Sequence, residues 1–577
     1  MQSSKKLSNV SRIRLYIAKM VKPFRRLWIA IFVLALAGCA FTYNPTAYSE
    51  SVQKSAPFVG AFDVRKYGAK GDGKALDSPA INKAIDAAAA AGGGTVLFTA
   101  GTYRSFSIRL KSNVALYLDQ GATILAAHPN DGDGKYDLPE PNPSDQYQDF
   151  GHSHWHNSLI WGENLENVSI LGPGRIWGKG LVRSGSESRT KEQNDALAKQ
   201  GPDPKAGPWG YPNARDAVEP GWGNKAIALK LSRNVIIRDI SILHGGHFAI
   251  LTTGVDNLTI DNVKIDTNRD GIDVDACKNV RISNCTVNSP FDDAICPKSS
   301  YALGYARVTE NVTITNCQVS GYDEGTLFDG TYKREFRNAN GTFGPTGRIK
   351  FGTESNGGFK NITVSNCVFD YSRGLALEAV DGALLEDVTI SNITMRDISN
   401  SPIFLRLGSR NRGPKETTKV GAMRRVIISN ILVYNADPKY SSIISGIPGY
   451  LIEDVQLSNI RVYAKGGGTK KQAALDPPER ENIYPEPAMF GDLPAYGFFI
   501  RHIKGLQVRD VEVSYLSPDQ RPAFWLNDVA GAEFIHVKAQ READMPAFVL
   551  KNVSDFSLQQ SWPLADQRLD RVDTRKL

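Results

Sequence analysis

Cysteine is sparse in this chain, with six in 577 residues, and none falls in a CxxC pair or a Cys/His spacing suited to zinc. Metal binding by the cysteines therefore has no ligand set, and neither a metal nor a cofactor is expected. Strong helical periodicity is absent outside one short segment, which excludes a helical fold class. Long apolar runs are missing too: the main one, Leu27 to Gly38, is too short to cross a bilayer comfortably. Acidic residues are absent before residue 39, where Lys5, Lys6, Arg12, Arg14, Lys19, Lys22, Arg25 and Arg26 lie. The net charge of +7 belongs to that segment, because removing its eight positive charges leaves −1 for the remainder. Overall basicity therefore gives no ground for nucleic-acid binding.

The N-terminal region reads as an export signal: a basic stretch, the apolar run, then Leu36-Ala37-Gly38-Cys39. That tetrapeptide resembles the bacterial lipobox, which implies that Cys39 is lipidated and becomes the new N-terminus. An ordinary secretory signal with an incidental Cys is the alternative. Ala40, in place of an acid, implies by the same resemblance a lipid anchor in the outer membrane of a Gram-negative cell, on its periplasmic or surface side. Met20 is an alternative start, since Lys22, Arg25 and Arg26 suffice as the basic region. The expected organisation is a signal over residues 1–38, a polar tether over 39–57 and one folded domain over 58–577.

Folded structure is expected from Phe62-Asp63-Val64. The single helix is predicted from about Ser78 to Ala91, with Ser78 as N-cap, Pro79 in the first turn and Gly92-Gly93-Gly94 as its stop. Its stripe of Ile81, Ala84, Ile85 and Ala88 suits a cap over the open end of a stack. Beyond it, β-rich segments recur at a period in the low twenties, with cores starting at Asn113, Asn167, Asn234, Asn257, Asn279, Asn311 and Asn361 and continuing to Gly531. Asn284, Asn316, Asn366, Asn392, Asn430 and Asn459 fall at the bend inside these cores. A repeat of this length makes one coil of a parallel β-helix, so the chain reads as all-β, built by stacking. Stacked Asn side chains can bond along the axis, and Cys285, Cys317 and Cys367 beside them read as small interior residues more than as disulfide partners. Insertions at about 128–158, 178–222, 321–347, 409–422 and 465–497 read as loops that wall a cleft. The first carries His152, His154, Trp155, His156 and Trp161, which suit sugar subsites and plain loop packing equally, with a His/His metal site a poor third.

Chemistry concentrates at Asp270 and at the pair Asp292-Asp293, 22 and 23 positions further on. One period apart means one coil apart, about 4.8 Å, which gathers three carboxylates on one patch. Inverting glycoside cleavage needs a protonated carboxyl for the leaving oxygen and an ionised one to activate water. The two stand roughly 6.5–9.5 Å apart, a span that neighbouring coils plus side-chain reach can supply. Close carboxylates also push one pKa upward, so that an acid survives near neutral pH. Asn268-Arg269-Asp270-Gly271-Ile272-Asp273 resembles the Asn-Thr-Asp-Gly motif of the polygalacturonases, glycoside hydrolase family 28. Asp292-Asp293-Ala294-Ile295-Cys296 resembles their paired-aspartate motif, and the resemblance covers roughly residues 60 to 560. It implies a right-handed parallel β-helix of the pectin-lyase type over 58–577, acting as a monomer. The implied activity is hydrolysis, with inversion, of α-galacturonosidic linkages in pectic poly- or oligosaccharide. It further implies that Asp292 is the general acid while Asp270 and Asp293 hold and activate the water; Asp273 and Asp275 are read as supporting residues.

The chain departs from the family in two places. Arg348 stands where the family has the histidine of a Gly-His-Gly motif, and the family's Arg-Ile-Lys position falls near Phe404-Leu405-Arg406-Leu407. Cations are still needed to bind a galacturonate carboxylate, and Lys298, Arg348, Lys350 and Arg406 are the candidates. The altered subsite and the long loops point to exo attack or to a branched, rhamnogalacturonan-type region. Three rivals share the fold class. A pectate lyase would give an unsaturated product with calcium, a uronate epimerase would change stereochemistry without shortening the chain, and a glycan-binding surface protein would release no reducing ends.

Overall fold

Asparagine sets the corners of this molecule. The computed structural model describes residues 61–182, 220–335 and 345–577. In it Asn113, Asn167, Asn234, Asn257, Asn279, Asn311 and Asn361 all take φ between 53° and 63°, a left-handed bend that asparagine tolerates better than most residues. Each side-chain amide after the first donates to the one on the preceding coil at 2.8–3.2 Å. A second ladder runs through the next bend, where Asn316 donates to Asn284 at 3.4 Å and Asn392, Asn430 and Asn459 each donate one coil back at 2.8–3.0 Å. The expected axial stacking of asparagine is present, and doubled.

Between bends, apolar residues point inward in register from coil to coil. One column runs Val235, Leu258, Val280, Val312, Ile362, Val388, Val426, Val455, every member paired in parallel with the next. Burying each such side chain contributes roughly 1.5–3 kcal/mol, and a coil gains it only when its neighbours are in place. Cys285, Cys317 and Cys367 lie inside this column system as expected, and the five described cysteines are buried free thiols.

Both ends of the stack are closed. A helix, Ser78–Ala90, buries Ile81, Ala84, Ile85 and Ala88 over the first coil. Ser78 is its first residue instead of its cap: the hydroxyl accepts from the Phe106 N–H at 2.7 Å, while Asp77, in the cap position, turns its carboxylate to the N–H groups of Lys70 and Gly71. At the other end the strand Gln567–Lys576 runs antiparallel to Phe548–Gln559 and covers the last open edge. Among the described residues no helix is long and apolar enough to cross a membrane. The predicted signal, Cys39, the tether and most of the 178–222 insertion lie outside the described residues.

One sheet of the helix positions the acids. Its parallel strands Ile160–Glu163, Lys225–Lys230, Phe248–Thr253, Asp270–Asp275 and Ile295–Lys298 continue, through the pairing of Ile295 with Ile349, into Lys350–Phe351, Leu375–Ala379 and Ile403–Leu407. Strand alternation turns Ile272 and Val274 into the core and Asp273 away from it. The outward row holding Asp273 begins with Ala228 and Leu251, passes through Asp273, Cys296 and Lys350, and resumes as Ala376, Phe404, Ile443 and Phe499. Trp155, from the 128–158 insertion, packs on Ala228 and Leu251. Met489, Phe490 and Leu493, from the 465–497 insertion, form a second small core with the apolar residues on the far side. The row is polar only between these two covers, and the acids gather there.

Candidate active site

Asp270 opens its strand, and Asp292 and Asp293 close the turn leading into the next one. The two coils meet at Gly271, whose N–H donates to the Asp293 carbonyl at 3.0 Å. A Cβ there would stand 2.4 Å from the Ala294 carbonyl oxygen, so no other residue allows this approach. One carboxylate oxygen from each of Asp270, Asp292 and Asp293 lies within 4.8 Å of the others. Stacked coils in direct contact thus bring the nearest oxygens of the three carboxylates together.

The three acids differ in surroundings. Asp293 is 1% exposed. Burial alone would push its pKa up, but Lys350 at 3.0 Å and Arg348 at 2.8 Å, with Lys298 nearby, outweigh burial and hold the carboxyl well below its usual range. Asp270 is raised well above the usual carboxylate value, chiefly by burial and then by the charges of Asp273 and Asp292. Its Oδ1 is buried without a hydrogen-bond partner. Asp292 is the accessible one, with 26% of its side chain exposed, and it is ion-paired: Arg269 Nη2 lies 2.8 Å from its Oδ2.

The four predicted carboxylate-binding cations do not face outward. Lys298 sits between Asp273 and Glu354, 3.5 and 3.4 Å away. Arg348 joins Asp293 to Glu486, 2.6 Å away, and Lys350 joins Asp293 to the Tyr484 hydroxyl at 3.3 Å. Arg406 lies two coils beyond Lys350 and gives its donors to Ser445 and to the carbonyls of Gly446, Glu479 and Arg480; it fastens the 465–497 insertion. Burial, reinforced by Arg501, lowers Arg406 to about 9. All four are at most 4% exposed, so direct substrate binding is withdrawn for Arg406. The other three are ion-paired to the buried carboxylates around them.

Several residues escaped the sequence reading. Arg269 was visible in the motif as the residue before Asp270, but nothing local showed that it would turn to Asp292. Glu486 and Tyr484 arrive from an insertion more than 130 residues past Arg348 and Lys350, and no sequence signal links them. His152 is the one member of its aromatic-histidine cluster to enter the site, with Nε2 3.5 Å from Asp273 and its ring edge-on to Phe248. The rest of that cluster packs the loop: Trp155 is fully buried with its N–H on Thr253, and His156 stacks on Trp161. On the next coil Glu378 is pushed up to about 7 by burial, against the charges of Lys350 and Arg348. His152, Asp270 and Asp273 are close enough to share an ion, and the Lys298 ammonium lies 3.5 Å from Asp273.

Residues 61–155 match the family described as rhamnogalacturonase A/epimerase, pectate lyase-like, and residues 217–333 match the right-handed β-helix region. The chain is 27% identical over 259 residues to an exo-poly-α-D-galacturonosidase of Dickeya chrysanthemi, covering 40% of this chain and 41% of that protein. The match thus spans less than half of the relative's length. Two solved structures share the fold. The Thermotoga maritima exopolygalacturonase gives a TM-score of 0.55 at 17% identity, covering 78% of this chain and 91% of that one. The family 28 exopolygalacturonase of Yersinia enterocolitica gives 0.54 at 18%, covering 83% and 78%. The helix is accordingly right-handed.

Proposed function

We propose that this chain, a distant relative of the polygalacturonases, is a glycoside hydrolase cleaving α-galacturonosidic linkages in pectic oligo- or polysaccharide. The observation that carries the reading is the division of labour among three clustered acids. Asp293 is held ionised by two cations and is placed to take a proton from water. Asp270, biased toward its neutral form by burial, has an unpartnered oxygen with which to hold that water. Asp292, the accessible member, is placed to give its proton to the leaving oxygen. A positioned acid and base together account for rate factors of about 10²–10⁴ each.

Inversion rests on the motif resemblance; the anomer formed first, followed by NMR, tests it. Exo attack, or attack on short branched regions, is supported by the two apolar covers that bound the acids on either side. A broad ladder of oligomers from homogalacturonan at early times would contradict it. Export and lipid anchoring through Cys39 complete the proposal, on the strength of the basic stretch, the apolar run and the tetrapeptide ending at Cys39; labelling with a radioactive fatty acid that vanishes in Cys39→Ser checks it.

The deciding experiment is reducing-end release from homogalacturonan, rhamnogalacturonan and their oligomers, with EDTA present, beside Asp292→Asn. Metal-independent release that disappears in the variant supports the proposal. An ultraviolet-absorbing product formed only with calcium replaces it with a lyase, and binding without release replaces it with a glycan-binding protein.

A further inference from the structure

A lysine without an acid beside it is buried two coils before Asp270. Lys225 opens the strand Lys225–Lys230, in register with Phe248 and, through it, with Asp270. Among the described residues no carboxylate forms an ion pair with its ammonium, which donates instead to Asn224 Oδ1 at 2.5 Å and to Asn157 Oδ1 at 3.4 Å. Burial pulls its pKa down to about 7. The charge of Glu140 opposes that fall, but this carboxylate is committed to the N–H groups of Trp155 and His156, at 3.0 and 3.1 Å. The lysine fixes both amides, since turning either one would set an NH2 group against the ammonium. Asn157 Nδ2, Asn224 Nδ2 and the Ser158 hydroxyl are then left buried with no hydrogen-bond partner. All four residues are at most 1% exposed. Their main chains hold them together: the Asn224 N–H donates to the Asn157 carbonyl at 3.0 Å, and the Leu159 N–H to the Lys225 carbonyl at 2.9 Å.

We propose that Lys225, Asn157, Asn224 and Ser158 form a binding site for a small monovalent anion, of the size and charge of chloride. Burying an ammonium without a counter-charge is costly, and each unpartnered donor adds to the cost. An anion meets both needs: it neutralises Lys225 and accepts from the two amides and the hydroxyl together. A water molecule meets neither. It brings no charge, and of the three unpartnered groups only the Ser158 hydroxyl can accept one of its two hydrogens. Full burial sets the size, because a sugar acid attached to its chain cannot enter. Anion and proton are linked: a bound anion favours charged Lys225, so its affinity falls as pH rises above about 7. The other titratable groups near the ammonium are Glu140, from the 128–158 insertion, and His247, whose N–H donates to the Asn224 carbonyl at 2.8 Å. Burial, then the charge of Arg269, keeps the His247 imidazole well below its ordinary pKa, so it stays neutral in this range. The site stands independently of the glycosidase reading.

The test uses bromide as the probe. Crystals of the wild-type protein in sodium bromide should show an anomalous scattering peak beside Lys225 Nζ. In solution, urea unfolding is compared in sodium bromide or chloride and in sodium gluconate at equal ionic strength, which removes general screening from the comparison. The halides should raise the urea midpoint, and the affinity taken from that rise should be about tenfold weaker at pH 8 than at pH 6. Asn224→Asp sets a carboxylate against Lys225 and should abolish both the peak and the halide effect. Lys225→Met removes the charge, keeps the stem, and should abolish both as well. A wild-type crystal without a bromide peak beside Lys225 overturns the site. So does a halide effect of equal size in wild type and Asn224→Asp, which marks general salt stabilisation. A peak with no halide effect in solution marks binding at crystal concentration only, and overturns it too. None of these readouts uses substrate, so a failure of the hydrolase reading is a separate result.

Discussion

Replacing Arg348 with methionine removes two contacts at once: Nε to Asp293 Oδ1 at 2.8 Å and Nη2 to Glu486 Oε1 at 2.6 Å. The stem stays, so packing is largely preserved. Neither carboxylate is abandoned, because Lys350 remains 3.0 Å from Asp293 and Arg373 remains 2.9 Å from Glu486. Breaking a buried pair by removing one partner costs about 3–5 kcal/mol, and the surviving partners place this variant at the lower end, about 3 kcal/mol. The pH dependence gives a sharper check. The native pKa values of Asp293 and Glu486 lie below their ordinary ones, since the neighbouring cations outweigh burial. Groups lowered on folding contribute stability that is present above their unfolded pKa, about 4, and is lost as pH falls through the native value. The deficit of Arg348→Met, measured by reversible urea unfolding, should therefore be full at pH 6–8 and should shrink below about pH 4. A deficit under about 1 kcal/mol at pH 7, or one that stays constant down to pH 3, would refute the claim that Arg348 holds these charges.

Asp293→Asn keeps its shape but removes the counter-charge of Lys350 and Arg348, so it should be destabilised, and the folded variant should lose about 10²–10⁴ in kcat for want of a base; retained kcat would remove Asp293 from the mechanism. Asn279→Ala breaks two ladder bonds, to Asn257 at 3.2 Å and from Asn311 at 3.0 Å, and puts alanine at φ 58°. A loss of about 1–2 kcal/mol is expected in urea unfolding, and Asn279→Gly should recover part of it. Phe490→Ala empties the small core under the 465–497 insertion. It should cost about 3–5 kcal/mol locally, read as faster proteolysis within 465–497, together with reduced activity as Tyr484 and Glu486 lose their positions.

The fold was legible because its rules are local. Each coil repeats one strand–bend unit, so periodicity alone revealed the stacking, and each bend asparagine answers for its own backbone conformation. The misplaced helix cap shows where that locality ends. Ser78 has the chemistry of a cap, but its hydroxyl is claimed by Phe106, 28 residues away across the first coil. The apolar residues of the 465–497 insertion likewise read as an ordinary loop, since their partners Phe404, Ile443 and Phe499 come from three separate coils.

At the site, sequence could reveal residue types but not their commitments. The aspartates were found because one period separates them and the stack turns a period into a contact. The cations were also found, but their direction was not, since a buried lysine or arginine points toward whichever acid the rest of the chain supplies. For Arg348 that acid is Glu486, 138 residues on; for Lys298 it is Glu354, 56 residues on. These distant acids turn would-be substrate ligands into props for Asp293 and Asp273.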